Sequence, residues 1–534
     1  RGSTSAYLVA AGILLSRIAG LVRQVIFARF FGTSVSADAF TAATRMPNAL
    51  QNLLGEGVLS ASFIPVYSEL LEQGREEEAG RVAGAIFAIL VVIAGAIALL
   101  GIALAPVLVR IFTPGFEGLQ YELTVTLVRI IFPMTGVLVV SAWSLGVLNS
   151  HRHFFLPYFA PVLWNVAMIA TMLFFGTRLV QPSLAVALAW GALAGGLLQL
   201  GIQLPRVLRL ERSLKIRWDL KLQGVRTAVR NAGPAIAGRG VVQVSSYVDL
   251  ILGSLLVTGA VATLGYAQTL YMLPISLFGM SVAAAELPEL ARQRSGDAEQ
   301  LRRRVNAGLG QIAFYVVPSI LGFLVLGDVI VAALFQRGDF GPADVLVVYF
   351  ALAGYTVGLL ASTGTRLFSS TFFALHDTRT PALVAGVRVL MSALLGMLLM
   401  LQFGRPEIAG RTFGPYGFGF LPAPDPAQPW GAAGLTLGAG IAAWVEWFLL
   451  RRSLRRRIGA VNPAAGPLLR MGLAGVAAAA AGRGLLLLLP ELHRVLEAVV
   501  AVGGFGLVYF GVAAAAGLPE ASAAIGRLTR RIGR

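Results

Sequence analysis

The sequence predicts an all-α polytopic membrane protein. Of its 534 residues, 57% are hydrophobic and only 13% are charged, whereas a soluble protein carries about 25% charged residues. Apolar runs of roughly 18 or more residues recur along the whole chain, and each can cross a bilayer core as a helix. The sequence contains none of the alternating strands of about 10 residues that a transmembrane β-barrel needs.

The apolar runs divide into about 14 predicted transmembrane helices. Their approximate limits are 6–31, 38–71, 81–112, 119–149, 157–177, 182–205, 224–257, 260–290, 301–335, 343–375, 381–404, 432–452, 464–489 and 492–516.

Lys and Arg residues cluster after the even-numbered spans, as in "HRH" at 151–153 and "RRSLRRR" at 451–457. The loops after odd-numbered spans are nearly free of both residues, and "FGTSVSAD" and "TPGFEGLQYE" contain neither. Because cytoplasmic loops carry the positive excess, both termini are predicted to be cytoplasmic. Topology and attraction to anionic lipid headgroups then explain the net charge of +17, and no nucleic-acid partner is expected.

An internal repeat relates the two halves of the chain. The matching positions are Pro65 with Pro288, Phe112 with Phe335, and Pro157 with Pro381, which lie 223, 223 and 224 residues apart. Two lobes of six helices each are therefore predicted, in a parallel repeat about an axis along the membrane normal. Transporters with a central substrate site are built in this way.

The repeat also predicts the domain limits. They are 1–205 for the N-terminal lobe, 206–223 for a cytoplasmic linker, 224–453 for the C-terminal lobe, and 454–534 for two extra spans with a basic cytoplasmic tail. The linker alternates polar and apolar residues from Lys215 to Leu222, which favours an extended stretch at the membrane interface. The Gly- and Pro-rich segment at 405–431 is predicted to be extracytoplasmic, either as a surface loop or as a lid.

Three arginines lie inside the first two spans: Arg17, Arg23 and Arg45. Each would cost roughly 2.5–3.5 kcal/mol at the bilayer centre, and a water-filled cavity would remove most of that cost. An excess of arginine in such a cavity favours an anionic guest, and the planar guanidinium suits phosphate.

Three acidic residues are further candidates. Asp38 begins the second span, where helix capping and substrate binding are both open. Glu56 is either a structural hydrogen-bond partner or a functional charge, and Asp249 on the seventh span is a candidate ligand for a coupling cation.

Other functional classes have little support in the sequence. The chain has no cysteine, which excludes disulfides and thiol chemistry. It has no paired carboxylates or metal motif typical of a membrane enzyme, and no nucleotide-binding P-loop. A transporter without a cofactor is therefore expected, with coupling to a monovalent cation or to the membrane potential left open.

The segment from Ser16 to Leu70 resembles the N-terminal signature of the MurJ (MviN) lipid II flippases of the MOP exporter superfamily. The matching residues are Ser16-Arg17, Gly20, Arg23, Phe31-Gly32, Ala37 to Phe40, Pro47-Asn48, Glu56-Gly57 and Phe63 to Pro65. The segment "FALHDTRTP", which ends at Pro381, resembles the family's second-lobe signature.

The resemblance implies a bacterial inner-membrane protein of peptidoglycan biosynthesis. Its substrate would be lipid II, a disaccharide-pentapeptide on undecaprenyl pyrophosphate, moved to the outer leaflet by alternating access. Membrane lipids and the cell-wall synthesis machinery would be further partners. The two extra C-terminal spans would form a groove for the lipid tail, and a sodium site that some members have in the second lobe would include Asp249.

The chain departs from the family pattern at two places. Gln51 and Asn52 stand where the family often has arginine, and Gln268-Thr269 stands where it often has an acid–arginine pair. Arg239, between two glycines on the seventh span, is the predicted replacement for the missing positive charge. A structural pair with an acidic residue of another helix is the alternative for Arg239.

Two other functions remain open. One is a flippase for another undecaprenyl-linked glycan, which the cationic cavity does not exclude. The other is a drug antiporter of the MATE type, which would need a net acidic cavity.

Overall fold

Helices form nearly all of the computed structural model, which describes residues 2–279, 298–403, 407–408, 411–412, 430–461, 465–488 and 493–522. The N-terminal helices are α1 (Gly2–Phe31), α2 (Val35–Leu54), α3 (Glu56–Glu72), α4 (Glu76–Ala103), α5 (Ala105–Phe112), α6 (Gly118–Ser150), α7 (Phe155–Phe175), α8 (Gln181–Leu210), α9 (Gln223–Ser254) and α10 (Ala260–Pro274), which continues as a π-helical turn (Ile275–Gly279). They are followed by α11 (Ala298–Phe335), α12 (Pro342–Val357), α13 (Leu359–Ala374), α14 (Arg379–Phe403), an antiparallel pair of two-residue strands β1 (Glu407–Ile408) and β2 (Arg411–Thr412), α15 (Gly431–Ile458), α16 (Ala465–Leu488) and α17 (Arg494–Ala515).

The chain is a multi-pass membrane protein, as the sequence predicts. Among the described residues, 11 helices are long and apolar enough to cross a bilayer, or 12 if α12 and α13, bent by 43°, are counted as one span. The remaining predicted spans correspond to the α2–α3 pair, which is broken at Gly55, and to α9, which is rich in polar residues. The predicted total of 14 spans stays a prediction.

The internal repeat recurs in the helix order. Helix α6 and the α12–α13 pair begin at Gly118 and Pro342, 224 residues apart, and α7 and α14 begin with the same offset. The break at Gly358 corresponds to a position beside Pro133 in α6. Since proline lacks an N–H, it interrupts helical hydrogen bonding at the matching level of α6.

Two compact units divide the chain, Arg1–Ala262 and Thr263–Arg534. The linker and α9 lie in the first unit, where α9 packs against α2 and α3. The repeat, in contrast, places α9 at the start of the second lobe. The domain limits drawn from the repeat stay a prediction.

Helices α3, α4 and α6 share a buried hydrophobic cluster in the first unit. Trp143 of α6 is fully buried there, and its ring meets Phe87 edge-on at 4.8 Å between centroids. Its indole N–H donates to the carbonyl of Ala83 at 3.2 Å. A large side chain with its polar atom bonded in this way fixes the spacing of α4 and α6.

The linker lies against α4 because two glycines leave room for it. A Cβ on Gly80 would lie 2.2 Å from the hydroxyl of Ser213, and one on Gly84 would lie 2.2 Å from the carbonyl oxygen of Lys215. Beyond this contact the chain is non-helical, as the alternation predicts, and its apolar side chains are exposed: Ile216 by 58%, Trp218 by 55% and Leu220 by 48%.

The two C-terminal helices, α16 and α17, pack on each other and on α11 within the second unit. Phe314 of α11 and Tyr509 of α17 meet in the cluster between them. The Tyr509 hydroxyl donates to the carbonyl of Phe314 at 2.6 Å. This bond satisfies a phenol that would otherwise be buried without a partner.

Candidate functional site

Arg23 of α1 packs against α7. Its guanidinium carbon lies 4.9 Å from the ring centre of Trp164, and Nη1 lies 3.6 Å from the sulfur of Met168. Its Nε is buried and has no hydrogen-bond partner among the described residues. A guanidinium held by an aromatic face and a weak sulfur acceptor keeps most of its capacity to bind an anion.

The other two predicted arginines lie on α1 and α2. Arg17, six residues before Arg23 on α1, has an exposed side chain, whereas Arg45 of α2 is half-buried. That these side chains face an aqueous space between the lobes stays a prediction.

Asp38 has a clear structural role. It is 1% exposed. Its Oδ2 accepts from the N–H of Gly259 at 2.6 Å and from the Gln120 amide at 3.1 Å, and its Oδ1 accepts from the N–H of Ala262 at 2.7 Å. Because α10 begins at Ala260, the carboxylate satisfies N–H groups that have no partner within that helix.

The capping role that the sequence leaves open for Asp38 is thus exerted on α10 and not on its own helix. The N-terminus of α2 is capped by Ser34, whose hydroxyl accepts from the N–H of Ala37 at 3.3 Å. A contact between Asp38 and the substrate stays a prediction.

Three predicted site residues lie on helices whose backbone is described. Glu56 begins α3 and Arg239 lies within α9, but both side chains lie outside the described part of the structure. Asp249, near the end of α9, is half-buried. In the described ranges, histidines and acidic residues form no cluster of three that could hold a metal ion. The roles of these three residues stay predictions.

A second group of charges lies inside the second unit, where α13, α14 and α15 meet. Arg388 donates from Nη1 to Glu446 at 2.6 Å and from Nη2 to Ser362 at 3.3 Å. Arg366 is close enough to interact with both charges, and its buried Nε has no hydrogen-bond partner in the described regions. Among the described residues, two arginines therefore stand against one glutamate.

The first unit also contains a polar cavity of about 330 Å³ between α2, α3, α6, α7 and α8. In the described part of the structure its lining residues are Gln51, Asn52, Ser60, Leu138, Ser141, Ala142, Leu145, Pro157, Pro161, Gln199 and Gln203, none of which is charged. We call it the amide pocket.

None of the pocket's six polar residues is among the predicted site residues, although Gln51 and Asn52 are departures from the family pattern. The other four are Ser60, Ser141, Gln199 and Gln203. A signal for two of them is present, because Gln199 and Gln203 are four residues apart in the otherwise apolar stretch "LLQLGIQLP" and so share one face of α8.

Known proteins resemble this chain over most of its length. The model of the lipid II flippase MurJ family matches residues 27–412. A probable lipid II flippase MurJ of Haemophilus influenzae is 31% identical over 463 residues, which cover 83% of this chain and 84% of that protein. The lipid II flippase MurJ of Burkholderia cenocepacia is 31% identical over 460 residues, covering 85% and 83%.

Solved structures share the fold. A lipid II flippase MurJ in an inward closed conformation has a TM-score of 0.76 at 22% identity, covering 95% of this chain and 98% of that one. An inward-facing multidrug transporter of the MATE family has a TM-score of 0.64 at 16% identity, covering 84% and 98%.

The helical spans and the repeat thus define a multi-pass membrane protein whose fold is that of solved transporters of the MOP superfamily. Within that class, the match over residues 27–412 and the 31% identity over most of the chain decide the family. The chain belongs to the lipid II flippase MurJ family.

Proposed function

We propose that this chain moves lipid II from the inner to the outer leaflet of the bacterial cytoplasmic membrane. The observation that carries the proposal is the family match over residues 27–412, supported by relatives that bear the name lipid II flippase. The chain acts as a transporter, with no catalytic step of its own and no cofactor.

The arginines support this substrate. Arg23 has a buried nitrogen without a partner in the described part, and Arg17 is exposed on the same helix. Together with Arg45 and Arg239, they supply the positive charge that a pyrophosphate needs inside the membrane. The Asp38 carboxylate accepts backbone hydrogen bonds at the start of α10. Glu56 is the first residue of α3.

The termini are cytoplasmic in this proposal, as the distribution of Lys and Arg indicates. Besides lipid II, the partners are membrane lipids and the cell-wall synthesis machinery. A monovalent cation or the membrane potential drives the cycle, and Asp249 is the candidate cation ligand.

The excess of arginine argues against a MATE-type drug antiporter, although the fold is shared. A small cationic drug would be repelled by Arg17, Arg23 and Arg45. A flippase for another undecaprenyl-linked glycan would need the same positive charge to bind its pyrophosphate. The test must therefore distinguish the two lipid substrates.

The experiment is rescue of a bacterium depleted of its own lipid II flippase. Expression of this chain should restore growth and raise lipid II in the outer leaflet, whereas Arg23→Ala should insert normally and restore neither. If the parent chain inserts stably and outer-leaflet lipid II stays at the depleted level, the proposed function is wrong. Rescue of a different undecaprenyl-linked glycan in a parallel strain would then identify the alternative flippase.

A further inference from the structure

The amide pocket lies within the first unit and differs in chemistry from the arginines. We propose that it binds an uncharged sugar, bearing hydroxyl and acetamido groups, of the lipid-linked substrate's headgroup. The proposal rests on the proposed function, because it assigns one part of that substrate to a site distinct from the pyrophosphate site.

The lining of the pocket suits a neutral ligand with many hydrogen-bonding groups. It contains three glutamines, one asparagine and two serines. An amide offers both donors and an acceptor, and a hydroxyl can be either, so these side chains match sugar hydroxyls and an acetamido group. A pyrophosphate here would be desolvated without a cation among the lining residues, which is unfavourable.

The inner wall of the pocket is pre-organised. The Gln199 amide donates to the Ser141 hydroxyl at 3.1 Å, and Ser141 donates in turn to the Gln203 amide oxygen at 3.1 Å. Ser141 is 2% and Gln203 is 1% exposed. This chain of bonds orients both amides, and it still leaves the carbonyl oxygen of Gln199 and the N–H groups of Gln203 for other partners.

Helix α7 adds a further acceptor and an apolar wall. Pro161 has no N–H, so it donates no helical hydrogen bond to the carbonyl of Pro157. Both prolines line the pocket, together with Leu138 and Leu145. A sugar ring has an apolar C–H face as well as hydroxyls, and this mixed surface fits both.

The size and charge of the pocket select the sugar over the rest of the headgroup. A volume of about 330 Å³ lies at the low end of the roughly 300–1,000 Å³ of small-molecule sites, so it holds one sugar unit and not a complete headgroup. A peptide ends in a carboxylate, for which the lining offers no cationic partner.

The test compares lipids that differ only in their headgroup. The purified full-length chain is titrated with undecaprenyl pyrophosphate, with the same lipid carrying the N-acetylated disaccharide without the peptide, and with lipid II. Gln199→Leu combined with Gln203→Leu removes the pocket amides. Gln181→Leu is the matched control, because Gln181 begins the same helix and donates to the carbonyl of Phe30 at 3.0 Å, outside the pocket.

We expect the double variant to lose about tenfold or more of its affinity for both sugar-bearing lipids, since two hydrogen-bonding amides are removed. Its affinity for undecaprenyl pyrophosphate should match that of the parent and of Gln181→Leu. If the double variant does not fold, Gln199→Leu alone, at a half-buried position, should show the same selectivity with a smaller loss.

Equal losses for the sugar-free and sugar-bearing lipids would overturn the proposal, as would unchanged affinity for all three. A loss confined to lipid II would reassign the pocket to the peptide and also overturn it. The proposed function is tested separately. If the parent chain binds the sugar-bearing lipid through the pocket but does not restore outer-leaflet lipid II, the pocket assignment stands and the proposed function is wrong.

Discussion

Replacing Asp38 by alanine should destabilise the protein more than most single substitutions. The carboxylate accepts two backbone N–H groups, from Gly259 and Ala262, and one amide N–H from Gln120. Leaving a buried donor without a partner costs about 1–3 kcal/mol. The Gln120 side chain can turn elsewhere, but the two backbone groups cannot, so the expected loss is about 2–6 kcal/mol.

Two further variants calibrate this expectation. Ser34→Ala removes a single cap bond of 3.3 Å at the start of α2 and should cost about 0.5–2 kcal/mol. Asp38→Asn keeps one oxygen but turns an NH₂ group toward a backbone donor, so its loss should lie between those of the other two.

The assay is thermal or denaturant unfolding of the full-length chain in detergent, followed by tryptophan fluorescence or by loss of monodispersity. The order of stability should be parent, Ser34→Ala, Asp38→Asn and Asp38→Ala. If Asp38→Ala unfolds at the same midpoint as Ser34→Ala, the assignment of Asp38 to the start of α10 is refuted.

Three other outcomes are expected. Arg23→Ala should lower the affinity for undecaprenyl pyrophosphate by about tenfold or more. Arg23→Lys should lose less affinity, because lysine keeps the positive charge without the planar guanidinium. Equal affinity of the parent and both variants would contradict the role of Arg23. In this cysteine-free chain, Gln73→Cys should react only with a reagent added on the cytoplasmic side and Thr258→Cys only with one added outside; the reverse pattern would break the predicted topology. Hydrogen bonds from Thr380, aided by Arg457, lower the pKa of Asp377 in the loop before α14. The ionised carboxylate therefore stabilises the fold at pH values above its unfolded pKa of about 3.9. This stabilisation is lost as the pH falls through the lowered pKa of the folded state. Melting curves should therefore show a steeper acid loss for the parent than for Asp377→Asn, and parallel curves would refute the linkage.

The sequence was sufficient to predict the long apolar helices that the structure describes, because the bilayer imposes a length and a hydropathy that such helices must meet. The break at Gly55 was not predictable in the same way, since the span predicted at 38–71 runs across it without interruption. The packing of α9 against α2 and α3 was also missed. A sequence offset identifies equivalent helices, but it does not say which helices contact each other.

The sequence singles out candidate site residues, whose roles stay predictions, but it does not predict their contacts. Arginines in apolar runs stand out because each is costly in lipid. Their partners do not: Asp38 binds backbone groups more than 200 residues away at Gly259, and Arg23 rests on Trp164, an aromatic residue that looks like any other in an apolar helix. Backbone donors and aromatic faces leave no charge pattern in a sequence.

The amide pocket explains why neutral residues can stand at Gln51 and Asn52. If these positions had only to neutralise a pyrophosphate, their loss of charge would weaken the site. They instead border a cavity whose other polar groups are also neutral, including Gln199 and Gln203, so an arginine there would be a partly buried cation without an acidic partner among the lining residues. The two proposals together assign separate tasks to the first unit: the arginines of α1 and α2 would attract the anionic part of the substrate, and the amides between α2, α6 and α8 would select among its uncharged parts.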